Sequence, residues 1–364
     1  MPFPSSSSAD WLGPLRRLVA DGWLRESSVD AWLGALRGHW RLNRTFARVR
    51  SLRWVAADML AVRLKANRNW PGARPGQAVL VYGERNGVRL ARCYSLTAVR
   101  GRNLELAIKR QPGGRFAEQL IDTLCPGDVL ELGAPGGDLR WPQEAQGGVL
   151  LLAAGSGVTA LYGLLNEALE NGWRQPVWLL HAVRRREQRA FVPELQALMA
   201  RYPNLQVRWL ISGEPAGEGE LRGRLQAEHL RELPAHSLLA CGPHGFVQTA
   251  LALWNAEPRA GTAQWEAFSP PPAGGEEGGA TVRLDFARSG LRATGDSQRS
   301  LLEQAEAHGL KPKHGCRQGV CTECTCQLLE GRVRDLRSGR EISEPGQPLR
   351  ICVSAPLGDV RIDL

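Results

Sequence analysis

Residues His314-Gly315-Cys316-Arg317-Gln318-Gly319-Val320-Cys321-Thr322-Glu323-Cys324 place three cysteines in a C-x4-C-x2-C array, and a fourth follows in Arg350-Ile351-Cys352-Val353. No other stretch constrains the chain as tightly. A tight loop can offer three thiolates to one side of a metal cluster, and the fourth must then arrive from a separate strand. That is the spacing of a 2Fe–2S site, in which each iron takes two thiolates. Gly315 and Gly319 let the loop backbone fold close to the cluster, with N–H groups free to point at sulfur. A zinc site usually shows two short C-x2-C pairs rather than three plus one. A disulfide framework belongs to small chains in oxidising compartments. Cys316, Cys321, Cys324 and Cys352 are therefore the expected metal ligands of a one-electron centre. Cys326 shares a strand face with Cys324 and reads as packing.

The chain has 364 residues, long enough for two or three domains. Four of its eight cysteines belong to the array and the others stand singly, which fits a reducing cytoplasm. No apolar run reaches the ~20 residues of a membrane span. The start, Met1-Pro2-Phe3-Pro4 and four serines, lacks the basic-then-apolar order of a signal peptide. The net charge is +9, yet no segment alternates basic and aromatic residues as a nucleic-acid groove would. A monomer with no nucleic-acid partner is expected.

Residues 1–47 read as a helical extension. Trp11, Leu12, Leu15, Leu18 and Val19 follow helical spacing, and so do Val29, Trp32, Leu33, Leu36 and Trp40, with Ser27 or Ser28 as N-cap. Residues 1–53 carry nine Lys+Arg against four Asp+Glu, a net of +5. Two readings stand side by side. The tryptophans pack on the domain behind them, or the basic helices lie peripherally on the inner face of a membrane.

Residues 48–142 show short strands between Gly and Pro signals, at 59–65, 77–82, 89–96, 103–109 and 128–132, which predicts a closed antiparallel barrel. Arg92-Cys93-Tyr94-Ser95-Leu96-Thr97 lies on one of these strands. Gly113-Gly114-Arg115-Phe116 precedes a helix at 116–124, where bare N–H groups and the helix dipole suit a phosphate.

Residues 143–268 change to strand, glycine turn, helix, as a doubly wound α/β domain requires. The apolar run 148–153 leads into Gly155-Ser156-Gly157-Val158-Thr159, a shortened dinucleotide fingerprint. Further strands are expected at 176–183, 205–212 and 237–240, the last entering Cys241-Gly242-Pro243. An NAD site would show an acidic residue after the second strand. Here Arg184, Arg185 and Arg186 stand instead, and arginines suit the 2′-phosphate of NADPH over NADH. Residues 269–279 are a linker rich in Pro and Gly, and 280–364 form the domain that carries the cysteines.

These blocks, in this order, resemble the ferredoxin–NADP reductase superfamily with a C-terminal plant-type ferredoxin domain. The resemblance covers about residues 48–364 and is nearest to the reductase partners of bacterial membrane fatty-acyl (stearoyl-CoA) desaturases, through 63–77. It implies a flavin barrel, an α/β nucleotide domain and an α+β β-grasp ferredoxin domain. It implies that Arg92 holds a flavin phosphate, Tyr94 packs on the isoalloxazine and Ser95 lies near its N5, and strand period sets Thr97 on the face of Ser95. Gly113 and Gly114 match the phosphate turn, and Phe116 and Ala117 stand where the family usually has serine. Gly155, Gly157 and Thr159 match the nucleotide turn, with Ala160 replacing a proline. Cys241, Gly242 and Pro243 match the block that approaches the nicotinamide, and Glu266 and Phe268 match the segment beside the flavin. The resemblance implies electron flow from NADPH through FAD (rather than FMN) and the 2Fe–2S cluster to an external acceptor. Ser95, Cys241 and Glu266 are the residues nearest the chemistry. The acceptor is a membrane-bound desaturase or, alternatively, a soluble oxygenase or hydroxylase. A non-catalytic redox sensor or docking module is the reading from another class.

Overall fold

Pro14 opens α1 (Gly13–Ala20), and a turn through Gly22 at φ +80° leads to α2 (Glu26–Leu36). The computed structural model describes residues 12–36, 38–85, 88–142, 147–231, 233–256, 261–268, 279–337 and 339–364. Trp11 and nearly all of the linker expected at 269–279 lie outside the described residues. Leu12, Val29, Leu33 and Leu42 bury a small core, where burying one leucine contributes roughly 1.5–3 kcal/mol. Buried Asp30 accepts the Leu42 N–H at 2.7 Å and pairs with Arg44 at 3.2 Å. Two expectations fail here. Ser27 and Ser28 lie inside the first turn of α2, and Trp32 and Leu36 face solvent, 60% and 74% exposed, as does Trp23 in the turn, at 78%. Helical spacing puts all four residues, Val29, Trp32, Leu33 and Leu36, on one stripe, but only Val29 and Leu33 find a core there.

The barrel strands are β1 (Thr45–Ala56), β2 (Met59–Ala66), β3 (Ala78–Arg85), β4 (Val88–Arg100), β5 (Asn103–Lys109) and β6 (Val129–Leu132), closed in the order β1-β2-β5-β4-β3-β6. Every pairing is antiparallel, and closure leaves no edge. α3 (Arg115–Thr123) follows β5. The barrel begins at Thr45, inside the stretch expected to be helical. Two register shifts in β1, at Val49/Ser51 and Trp54/Ala56, break its period of two and hide the strand among arginines.

The second domain is a six-stranded parallel sheet in the order β10-β9-β8-β7-β11-β12. Its strands are β7 (Val149–Ala154), β8 (Val177–Val183), β9 (Leu205–Ile211), β10 (Leu221–Arg222), β11 (Ser237–Gly242) and β12 (Thr262–Ala267). The helices are α4 (Val158–Glu170), α5 (Val192–Arg201) and α6 (His244–Asn255). β7, β8 and β11 are apolar and buried throughout their centres, as strands covered on both faces must be. Strand order reverses at β7, so the crevice at the carboxyl ends of β7 and β11 is the natural ligand position. Val55, Met59, Ala61 and Ala107 of the barrel share a core with Val149, Leu151 and Leu165, which fixes the barrel against this sheet.

The third domain comprises β13 (Thr281–Phe286), β14 (Leu291–Asp296), α7 (Leu301–Ala307), β15 (Thr325–Glu330), β16 (Val333–Asp335), β17 (Glu341–Ile342), β18 (Pro348–Arg350), β19 (Ser354–Pro356) and β20 (Val360–Ile362). Its main sheet runs β14-β13-β20-β15-β18, with β13 and β20 parallel at the centre. A reciprocal capping box of Ser300 and Glu303 starts α7 (3.3 Å each way), whose Leu301, Leu302 and Ala305 pack on Phe286 and Ile362. The architecture expected from sequence, a barrel, a doubly wound domain and a β-grasp-like domain, is the one observed.

Candidate functional site

The loop between α7 and β15 gathers three of the four array cysteines. Arg317 and Thr322 adopt φ +56° and +59° and Gly319 +71°, which folds the backbone around sulfur. The N–H groups of Gln318, Val320 and Cys321 point at Cys316 Sγ at 3.3, 3.4 and 3.3 Å, and the Cys316 N–H points at Cys321 Sγ at 3.2 Å. The neighbouring Cys321 thiol and these backbone donors hold the Cys316 thiol well below the ordinary thiol range. Cys352, just past β18, meets Cys324 in the same way, so the thiols fall into two pairs. Among the described residues no three His, Cys, Asp or Glu side chains group as a site for one ion. Two pairs of thiols with converging N–H donors fit a two-iron cluster. Cys326 is half-buried in the core of this domain, and burial pushes its thiol up to about 12.

Cys316 also lines a cavity of about 1010 Å³ that the barrel, the α/β domain and this loop enclose together. β4 supplies Arg92, Cys93, Tyr94 and Ser95. Tyr94 Oη and Ser95 Oγ are buried with no hydrogen-bond partner among the described residues, and burial raises the Tyr94 phenol far above its ordinary value. Gly114 and Phe116 reach the same cavity from the start of α3, and Phe116 packs against Gly83, where a Cβ would sit 2.7 Å from its ring. Gly113 turns there at φ +75°. Phe268 closes the far wall, its N–H on Gly242 O at 2.9 Å and its carbonyl accepting from Gln318 Nε2 at 2.5 Å. Orphaned polar atoms beside an aromatic wall and a helix N-terminus fit a flavin.

Thr97 is not brought there. A register shift between Leu96 and Ala98 turns it inward, where it is 1% exposed and its hydroxyl donates to Glu105 at 3.1 Å. Sequence reasoning also missed cavity residues: Lys109 at the end of β5, Ser156 in the nucleotide turn, and His314 and Gln318 in the cysteine loop. Lys109 Nζ lies 3.5 Å from Asp58 and close enough to Gly155 to meet a Cβ at 3.2 Å. A lysine ending a strand just before a Gly-Gly helix start was the available signal.

The turn Gly155–Gly157 leaves β7 and enters α4. A Cβ on Gly157 would lie 2.0 Å from Cys241 O, so only glycine lets β7 and β11 close at this point. Thr159 Oγ1 donates to Ser156 O at 2.9 Å, and fully buried His181 reaches Gly155 O through Nε2 at 3.0 Å. Burial drives His181 down to about 4, so it stands neutral beneath the turn. Cys241, Ala153 and Glu266 lie in register across β11, β7 and β12. Cys241 and Glu266 are fully buried behind the cavity wall, and burial raises both the thiol and the carboxyl. Glu266 Oε1 accepts the Asp138 N–H at 2.9 Å. Gly242 and Pro243 lead into α6. Ala154 pairs with Ala182, so exposed Arg184 and Arg185 emerge beside the turn, outside the cavity. Arg186 is committed elsewhere, with Nη2 2.8 Å from Glu220 Oε2.

Fold and site thus define an electron-transferring oxidoreductase with flavin, nucleotide and iron–sulfur modules. The chain matches the oxidoreductase FAD-binding domain over residues 48–141, the oxidoreductase NAD-binding domain over 151–251 and the 2Fe-2S iron-sulfur cluster binding domain over 285–357. It is 30% identical over 347 residues to an NADPH oxidoreductase of Mycobacterium tuberculosis (strain ATCC 25618 / H37Rv), covering 92% of this chain and 88% of that protein. It is 28% identical over 285 residues to the ferredoxin reductase component of the 3-ketosteroid-9-alpha-monooxygenase of Rhodococcus rhodochrous, covering 71% and 78% of the two chains. Phthalate dioxygenase reductase shares the fold, with a TM-score of 0.54 and 20% identity, over 88% of this chain and 97% of that one. The chain belongs to the ferredoxin-reductase-type oxidoreductases that carry FAD-binding, NAD-binding and 2Fe–2S domains in one polypeptide. No helix among the described residues is long and apolar enough to cross a membrane.

Proposed function

We propose that this reductase draws electrons from NADPH and delivers them to the iron-dependent component of an oxygenase system. One observation carries the reading: Cys316 and Gln318 line the same cavity as Tyr94, Ser95 and Phe268, so the cluster loop forms one wall of the flavin site. A flavin bound here would supply acceptance of one hydride, two electrons, from the nicotinamide, and a 2Fe–2S centre would supply release of those electrons one at a time. The residues bind and orient. Arg92 and the start of α3, with Gly113 and Gly114, take the flavin phosphates, while the side chain of Arg115 lies outside the described residues. Tyr94 supports the ring, and Ser95 offers the hydroxyl nearest the reacting edge. Gly155, Gly157 and Thr159 shape the nucleotide turn, Cys241, Gly242 and Pro243 the nicotinamide crevice. Phe268 and buried Glu266 close that crevice against water. Arg184 and Arg185, exposed beside the turn, suit the 2′-phosphate of NADPH. Residues 48–142, 143–268 and 280–364 act as the three modules, joined through 269–279.

The monooxygenase reductase component among the relatives supports an oxygenase acceptor. A membrane-bound fatty-acyl desaturase is the second reading, favoured by the solvent-facing Trp23, Trp32 and Leu36 of the extension, which suit peripheral contact with a bilayer. The test is anaerobic. Flavin and cluster absorption are expected to bleach in turn, faster with NADPH than with NADH; a spectrum unmoved by either nucleotide would sink the reading. Coupled turnover with a soluble oxygenase against a desaturase in membranes then decides the acceptor.

A further inference from the structure

Asp138, between β6 and β7, touches all three domains. Its carboxylate receives Arg350 of the cluster domain at 2.9 Å (Nη1 to Oδ2) and 3.2 Å (Nη2 to Oδ1), and Arg337 Nη1 lies 3.8 Å from Oδ2. Both arginines also donate to Gly319 O, inside the cysteine loop, Arg337 at 3.0 Å. On its other side the Asp138 N–H holds Glu266 Oε1 at 2.9 Å, in the α/β domain. Arg337 continues the line, with its guanidinium 6.0 Å from the Trp265 ring. The loops meet closely here: a Cβ on Gly136 would lie 2.2 Å from Val320 O.

We propose that Asp138 is a positioning residue that latches the cluster domain over the flavin cavity, gripping Arg350 and Arg337 and through them the cysteine loop at Gly319. The fork of Arg350 on the carboxylate gives the contact direction, which a single point charge would not. The Asp138 side chain is 57% exposed, and exposed ion pairs are weak and screened by salt. Such a latch sets a pose without locking it. The step it governs moves one electron from reduced flavin to oxidised cluster, while the hydride step is made in the crevice of β7 and β11. The inference rests on the proposed order of electron flow, but its structural half does not.

Asp138→Asn keeps the backbone N–H that serves Glu266 and removes the charge. In the holoenzyme, flavin bleaching by NADPH is expected to be unchanged, and reduction of the cluster to slow roughly five-fold at low ionic strength. Backbone hydrogen exchange is expected to rise at 136–138 and 318–320. Wild type in about 0.5 M salt should behave like the variant, and the variant should no longer respond to salt. Asp138→Glu should restore part of the rate. Unchanged cluster reduction, an equal loss in both steps, or unaltered exchange in both loops overturns the latch. If wild-type flavin fails to bleach with NADPH, the reductase reading falls, and the exchange comparison still decides the latch.

Discussion

Cys316, Cys321 and Cys324 fall within nine consecutive residues, whereas the cavity that Cys316 also lines takes Lys109, Ser156, Phe268 and Gln318 from three domains. The first site is built by the backbone of one loop. Two non-glycine residues in left-handed conformation and four N–H groups aimed at sulfur define it, with Cys352 as the ligand it takes from outside the loop. The second exists only when barrel and sheet have docked through Val55, Met59 and Ala107. A local site should fail completely at one residue and leave its neighbour intact. A distributed site should weaken by degrees, except where one atom has no room.

Cys324→Ser is the largest test of that contrast. Removing one of the two paired thiols should abolish the 2Fe–2S absorption, while bound FAD and NADPH-driven flavin bleaching persist. Loss of flavin together with the cluster, seen in the visible spectrum and by cofactor analysis, would break the contrast and make the two sites one cooperative unit.

Gly157→Ala tests the exception. Its Cβ would meet Cys241 O at 2.0 Å and Cys241 C at 2.4 Å, both backbone and unable to swing away. A loss of about 4 kcal/mol or more is expected, read as a fall in the denaturant midpoint. Gly113→Ala is the counterpart on the flavin side. Nothing lies within 4 Å of its Cβ and only φ +75° resists it, so about 1 kcal/mol is expected.

His181 sharpens the point by pH. Its folded value is about 4 against 6.5 in the unfolded chain, because burial disfavours the charged ring. The contribution is complete above 6.5. It is lost as pH falls through that window, since the unfolded chain binds the proton first, and the loss reaches about 3 kcal/mol near pH 4. His181→Gln, which keeps an N–H for Gly155 O, should show a flatter decline in melting temperature between pH 7 and 4.5 than the parent chain.

Legibility follows the same division. The cysteine loop could be read from spacing because its geometry is contiguous. The two glycine turns could be read because they sit between a strand and a helix. β1 could not: its arginines and two bulges mask the alternation of Ala47 and Val49. Thr97 was assigned to the site by strand period and left it through a bulge. His314 and Asp138 carry no local pattern, since their positions depend on how separate domains pack, and Lys109 offered only its place at the end of a strand before a Gly-Gly helix start. The exposed Trp32 and Leu36 of α2 show the converse, because the helical stripe is visible in sequence and how much of it finds a core is not.

The last comparison concerns the arginines after β8, where sequence offered three and the structure separates them. Arg186 lies between Glu214 and Glu220, 3.6 and 2.8 Å away, and Glu220 also takes Arg189 at 2.7 Å. It braces the loop and has no charge to spare. Arg184 and Arg185 are exposed, and Arg185 has a loose ion-pair partner in Glu187 at 3.6 Å. Replacing both by alanine should raise KM for NADPH roughly ten- to hundredfold, the worth of one or two charge-assisted phosphate contacts, and leave KM for NADH unchanged. Arg186→Ala should instead lower stability and change both values alike. Equal losses for NADPH and NADH in the Arg184/Arg185 variant would place the 2′-phosphate elsewhere on the domain. A selective loss would show that this distributed site yields one contact at a time.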